Sequence, residues 1–391
     1  MGLKKQLVYA KKVLPSATWR ALSSPVREPV HLIIAVADHF EPAIDPEDGQ
    51  KRVARSEQER RVGWWNREYP KAIDRWRDHD GRPLVHTYFY PAEQYDKGLL
   101  EMIADHCHAG WGETEIHLHH GIPDADTAEN TRRVLTDFRD RLAFDHHCLA
   151  VEDGSNEPRY CFVHGNFALA NSAGGRFCGV DSEMQVLAET GCYADFTLPT
   201  GVLHPAQTEK INSLYECGLP LGQAAPHRKG IDLSSGRVPR IFPLIVQGPL
   251  LTDFARSRHA FKPMFETGAI TPPNPMSLNR LALWKQARIH VAGRPDWLFI
   301  KLHCHSMDPT QKEAVIGSLF QKFLEQLVGG ASERKETLHF VTAREMTNII
   351  LAACSGKEGS PGEYRDYRFK RISDVPAVVE KFDSLPVAVK G

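Results

Sequence analysis

The chain has 391 residues, 42% of them hydrophobic and 25% charged, a composition that can bury a large core and excludes a disordered or fibrous protein. Lys plus Arg (48) nearly balance Asp plus Glu (49), for a formal net charge of -1, so no broad basic field points to nucleic acid or an anionic membrane surface. The N-terminus has basic residues with no apolar stretch behind them, position 6 is Gln where a myristoylation signal wants Ser or Thr, and the first apolar run is too short to span a bilayer.

Residues 1–28 read as a basic amphipathic lead-in. The run from Val30 to Ala37 reads as a buried strand that stops at Asp38-His39-Phe40-Glu41-Pro42. Apolar residues at spacings of three and four (Val62, Trp65, Tyr69, Ile73, Trp76) predict a helix over 51–79. Strand patterns follow at 83–90, 115–119, 159–163, 193–197 and 240–246, with helices at 95–107, 127–142 and 182–190 between them. The last third predicts a helix over 278–290, a strand over 297–303, a single long helix over 310–327, a strand over 338–342 and a helix over 343–353. Such alternation predicts a parallel sheet covered by helices, and about seven to eight strands fit a distorted α/β barrel. Segments 199–238 and 257–277, rich in Gly, Pro and polar residues, read as long loops of the domain over 29–354. The tail over 355–391 reads as peripheral.

Eight scattered cysteines form no C-x-x-C pair, so they are expected to be reduced thiols in a cytoplasmic protein, and a cysteine zinc site is not expected. Histidine carries more signal. In Ile116-His117-Leu118-His119-His120-Gly121 and Lys301-Leu302-His303-Cys304-His305-Ser306, imidazoles two residues apart share one face of an extended chain and can converge. Polar groups gather at other predicted strand ends too: Asp38, His39 and Glu41, then His164 and Asn166, then Asp195. The C-terminal strand ends of an α/β barrel form the face that carries its active site. By contrast, His106 with His108 read as helix-end residues, His146 with His147 as a solvated loop, and Trp64, Trp65 and Trp76 as core.

In this order the motifs resemble those of the polysaccharide deacetylase family, metal-dependent carbohydrate esterases on a distorted α/β barrel. The matching segments, spread over 30–350, are Ala37-Asp38-His39, Thr87-Tyr88-Phe89, Glu113-Thr114-Glu115-Ile116-His117-Leu118-His119, Phe162-Val163-His164-Gly165-Asn166, Gly191-Cys192-Tyr193-Ala194-Asp195 and Leu302-His303-Cys304-His305. The chain departs from that pattern at His39, where the family has a second Asp, at Pro123, where a later histidine would fall, and at His164, where it has Arg. The resemblance implies Asp38 as general base and a divalent ion, Zn²⁺ first, held by His39 and His119 with His117 or His120. It further implies His303 or His305 as the acid, Asp195 orienting it, and His164 and Asn166 binding substrate. The implied activity is deacetylation of an N-acyl amino sugar, free, polymeric or in a lipid-linked precursor. Two alternatives stand beside it. One is a metal-dependent phosphoesterase, which His303-Cys304-His305-Ser306 resembles although that family carries the motif after its first strand; the other is a non-catalytic, glycan-binding descendant of the barrel.

Overall fold

The structure, a computed structural model, describes residues 28–48, 51–257 and 264–385. Almost all of the expected N-terminal lead-in lies outside these residues. In chain order the strands are β1 (Val30–His39), β2 (His86–Pro91), β3 (Gly112–Leu118), β4 (Ala150–Glu152), β5 (Pro158–His164), β6 (Cys192–Asp195), β7 (Ser213–Cys217), β8 (Gly230–Asp232), β9 (Leu244–Gln247), β10 (Leu251–Asp253), β11 (Met264–Glu266), β12 (Trp297–Cys304), β13 (Glu336–Phe340) and β14 (Phe369–Arg371). The α-helices are α1 (Arg55–Ile73), α2 (Lys97–His106), α3 (Ala128–Phe144), α4 (Glu183–Glu189), α5 (Leu278–Ala287), α6 (Lys312–Ile316), α7 (Ser318–Gly329), α8 (Ala343–Cys354) and α9 (Pro376–Asp383). Among the described residues, no helix is long and apolar enough to cross a membrane.

The fold is mixed α/β around one large sheet of order β12-β1-β2-β3-β5-β6-β9-β7-β8, parallel from β12 through β9. β13 adds a parallel partner to the first half of β1. No strand pairing joins β12 to β9 among the described residues. β7, antiparallel to both β9 and β8, and β8 itself come from the segment expected to be a long loop, because Leu214 and Tyr215 find buried places that composition alone does not reveal. Similarly, β11, inside the second expected loop, pairs with β10 just before it.

The pleat divides the side chains between two cores. Leu32, Ile34 and Val36 of β1, Tyr88 and Tyr90 of β2, Ile116 and Leu118 of β3 and Phe162 of β5 pack outward against the helices. Ile33, Ala35 and Ala37 of β1, Phe89 of β2, Val163 of β5, Val246 of β9 and Phe299 of β12 pack inward with Met346 and Ile350 of α8. Strands buried on both faces need apolar residues at consecutive positions, which is why β1 reads as an uninterrupted run. Each such Ile, Leu or Val contributes about 1.5–3 kcal/mol by leaving water.

Three further expectations are corrected. The helix expected over 310–327 is broken at Gly317, whose backbone is extended (φ -71°, ψ -172°), giving α6 and α7. The tail is not peripheral up to residue 385: β14 pairs with β4, and Phe369, Ile372, Val378 and Phe382 are buried. His106 is a buried partner of the Tyr88 hydroxyl at 3.1 Å. His146, expected in solvent, is buried beside Tyr95.

Candidate functional site

The alternation that sorts the apolar residues also sorts the histidines. With Ala37 inward and Val36 outward on β1, His39 falls on the inner face and Asp38 on the outer. On β3 and just beyond it, His117 and His119 point inward while Leu118 and His120 point outward; on β12 and just beyond it, His303 and His305 fall inward and Leu302 and Cys304 outward. β1 lies beside β12 with Ala37 opposite His303. Three histidine-bearing strand ends therefore meet over the carboxyl end of the parallel sheet.

On the inner face, the His39 ring lies 4.6 Å from that of His305, 4.9 Å from His117 and 6.2 Å from His303, centroid to centroid. The His117 and His119 rings are 4.4 Å apart. Glu41 enters from the chain after β1, with Oε1 3.2 Å from His117 Nε2 and 3.8 Å from His119 Nε2. The Val163 carbonyl lies 2.7 Å from His117 Nδ1, and Glu93 Oε1 lies 2.8 Å from His119 Nδ1. Since a carbonyl only accepts, Nδ1 of His117 carries the ring proton and Nε2 faces Glu41 with its lone pair when the ring is neutral. Gly165 makes room for this arrangement, since a Cβ there would fall on the His119 ring.

The charges follow from this crowding. Burial, then the neighbouring His305, His117, His303 and His119, hold His39 well below the usual imidazole range. Burial and His119 likewise lower His117. Burial pushes His303 down to about 3, with His305, Lys301 and Arg280 adding to it. For Glu41 burial works the other way, but the hydrogen bond and charge of His117, then His119, bring the carboxyl down to about 2. In His119 burial opposes a rise that Glu93 and Glu41 produce.

On the outer face there are two separate groups. Asp38 is fully buried, with Oδ2 2.9 Å from His86 Nδ1 and Oδ1 accepting from the Ser306 N–H at 2.9 Å, beside the Cys304 thiol. It therefore does not face the inner cluster. His120 and His164 meet with their Nε2 atoms 3.1 Å apart, together with Glu183 at the start of α4 and Cys178 from the loop before it. Burial opposes, but Asp126, Cys178 and Glu183 push His120 up to about 12; Glu183 and Cys178 likewise carry His164 to about 9.

The remaining expected residues lie elsewhere. Asp195 is buried at the end of β6, bonded to Thr197 Oγ1 at 2.7 Å, and burial raises its carboxyl. Near it, Lys301 Nζ donates to the carbonyls of Phe196, Leu198 and Val246, while burial lowers its ammonium. Asn166 is exposed, with a left-handed backbone (φ 55°), and makes no part of the inner cluster.

Sequence reasoning did not single out Glu93, His86, Cys178 or Glu183. Only Glu183 carried a local signal, as a carboxylate at a helix start. No family model matches the chain, and a search of curated proteins found no match.

Proposed function

We infer that this chain is a metal-dependent hydrolase whose reaction centre is the inner cluster, and that its substrate is an N-acylated amino sugar, free or within a glycan. The observation that carries the metal reading is the pairing of His117 with Glu41: with its Nδ1 proton given to the Val163 carbonyl, the buried His117 turns Nε2 on a carboxylate oxygen 3.2 Å away. That pair calls for a proton or an ion between its atoms, and an ion suits the wider group, since His39, Glu41 and His117 offer ligand atoms within 4.8 Å of one another, with His119 beside them. Imidazoles plus one carboxylate suit Zn²⁺. Such an ion polarises an acyl carbonyl and makes water acidic near neutral pH.

The chain's own groups supply the rest. Val163 and Glu93 fix the orientation of the His117 and His119 rings through Nδ1, as outer partners of metal-binding histidines do. Glu41 stays ionised and offsets positive charge. His305, half-buried on the same face, can carry a proton between water and the leaving nitrogen, while His303, held down to about 3, stays neutral beside it. Glu41 and the inner histidines thus replace Asp38, whose carboxylate is occupied by His86 and the Ser306 N–H.

The substrate class rests on the motif resemblance, and the site's position at the carboxyl strand ends agrees with it. We read the curved sheet as a distorted barrel, because Lys301 of β12 reaches carbonyls that follow β6 and lie in β9, and inner side chains from β1 to β12 share one core.

The test is acetate release from N-acetylated amino-sugar oligomers by the purified protein, with and without added Zn²⁺, alongside phosphate esters. Zinc-dependent acetate release that drops about 10²-fold or more in Glu41→Gln and His117→Ala, with unchanged circular dichroism, is the expected result. Hydrolysis of the phosphate esters alone would overturn the substrate assignment, and metal binding without turnover of either would overturn the hydrolase reading.

A further inference from the structure

We propose that the outer pocket formed by His120, His164, Cys178 and Glu183 is a second metal site, a closed Cys-His₂-Glu zinc centre that ties the loop after β3 to the end of β5 and the start of α4. It does not depend on the hydrolase reading.

The argument is one of donors and acceptors. Glu183 Oε1 lies 2.8 Å from His120 Nε2 and 3.3 Å from His164 Nε2, the two Nε2 atoms are 3.1 Å apart, and Cys178 Sγ is 3.6 Å from Glu183 Oε2. The far nitrogens of both rings face acceptors. Asp126 Oδ2 lies 2.8 Å from His120 Nδ1, and the Gly165 carbonyl is against His164 Nδ1. Both Nδ1 atoms therefore hold protons, and in neutral rings both Nε2 atoms present lone pairs to each other and to a carboxylate. Among the described residues, no lysine or arginine is paired with any of the four. The Glu183 carboxylate calls for positive charge here; protons supply it to both rings only by setting two Nε2–H groups 3.1 Å apart, whereas one ion serves both rings and the carboxylate together.

The dimensions suit one ion. All four ligand atoms lie within 4.8 Å of one another; bonds of about 2.0–2.1 Å to nitrogen and oxygen and about 2.3 Å to sulfur put tetrahedral ligands roughly 3.3–3.8 Å apart. The surroundings are built as a ligand's surroundings are. Asp126 is itself held by Thr131 Oγ1 at 2.9 Å, Asn130 Nδ2 at 2.8 Å and the Thr127 N–H at 2.8 Å. The Cys178 sulfur accepts the N–H groups of Asn171 at 3.3 Å and Val180 at 3.4 Å, which favours a thiolate, and Glu183 Oε2 accepts the Ala170 N–H at 2.6 Å. Side-chain exposure is 6% for His120 and 0% for His164 and Glu183. Four protein ligands in a closed pocket describe a structural ion, not one that admits substrate. Gly121, at φ +68°, makes the loop possible, because a Cβ there would fall on the Cys178 backbone. His119 and His120 are consecutive and face opposite ways, so an ion on His120 would fix the turn from which His119 reaches the inner cluster.

Metal content of the full chain, purified and supplied with Zn²⁺, tests the proposal, together with the absorption spectrum after exchange to Co²⁺. The expected result is a thiolate-to-cobalt charge-transfer band, lost with one equivalent of metal in Cys178→Ser and retained in His117→Ala. A second variant, Asp126→Asn, keeps all four ligands and is expected to release its ion to a competing chelator at about 10–100-fold lower chelator strength, which guards against a Cys178→Ser protein that does not fold. A wild-type Co²⁺ spectrum without the thiolate band, or wild-type metal content and chelator resistance in Cys178→Ser and Asp126→Asn, overturns the proposal. An unchanged His117→Ala protein would count against the inner centre and leave the outer one standing.

Discussion

Glu266→Gln is expected to destabilise the fold by about 3–5 kcal/mol at neutral pH, because it leaves a buried guanidinium without its counter-charge. Glu266 is fully buried at the end of β11. Its carboxylate accepts Nε and Nη2 of Arg280 at 2.7 Å each, Trp284 Nε1 at 3.1 Å and the Gly268 N–H at 2.7 Å. Arg280 is 3% exposed, so solvent screens little of the loss. The same segment holds β12 in place: His303 N–H donates to the Gly268 carbonyl at 3.0 Å and Ile270 N–H to the His303 carbonyl at 2.8 Å. Burial alone would raise the Glu266 carboxyl, but the hydrogen bond and charge of Arg280, with Trp284 and Gly268, keep it below its usual range. A carboxyl lowered by folding contributes stability above its unfolded pKa of about 4.3, and that contribution is lost as pH falls through the folded value. The gap between wild type and Glu266→Gln should therefore be widest at neutral pH and close in acid. Urea unfolding followed by circular dichroism measures it; with a slope on the order of 3 kcal/mol/M, the midpoint falls by about 1 M or more. A neutral-pH loss below about 1 kcal/mol, the range of an exposed ion pair, or a gap that widens on acidification, refutes the reasoning.

Glu93→Gln removes only the charge that orients His119 and should weaken metal binding at the inner centre about 10–100-fold in competition with a chelator, with the unfolding midpoint little changed. Gly165→Ala places a methyl group against the His119 ring, so zinc-dependent acetate release should fall at least about tenfold while circular dichroism stays native; wild-type activity would mean that His119 has no part in the centre. Lys301→Met should destabilise by about 1–3 kcal/mol, because the carbonyls of Phe196, Leu198 and Val246 lose their shared donor in a buried place. A thermal midpoint unchanged in that variant would show that the carbonyls find other partners.

How far the candidate sites were legible follows from the range of each signal. Strand parity is local: that His117 pairs with His119, and His303 with His305, is contained in their spacing, as is the buried run of β1. The same parity puts Asp38 and His120 on the opposite face from their neighbours His39 and His119, and the sequence already contains that separation. Which groups wait on each face is a different matter. The partners of His120 come from β5, from a loop and from the first residue of α4, segments that only chain packing brings together. Asp38 is occupied because His86 of β2 and the backbone of Ser306 arrive beside it, and neither is signalled around position 38. Likewise, Cys178 gains ligand geometry without any cysteine motif. Local spacing determined the faces of the strands, and the order of strands in the sheet, which depends on contacts far apart in the chain, decided what each face holds.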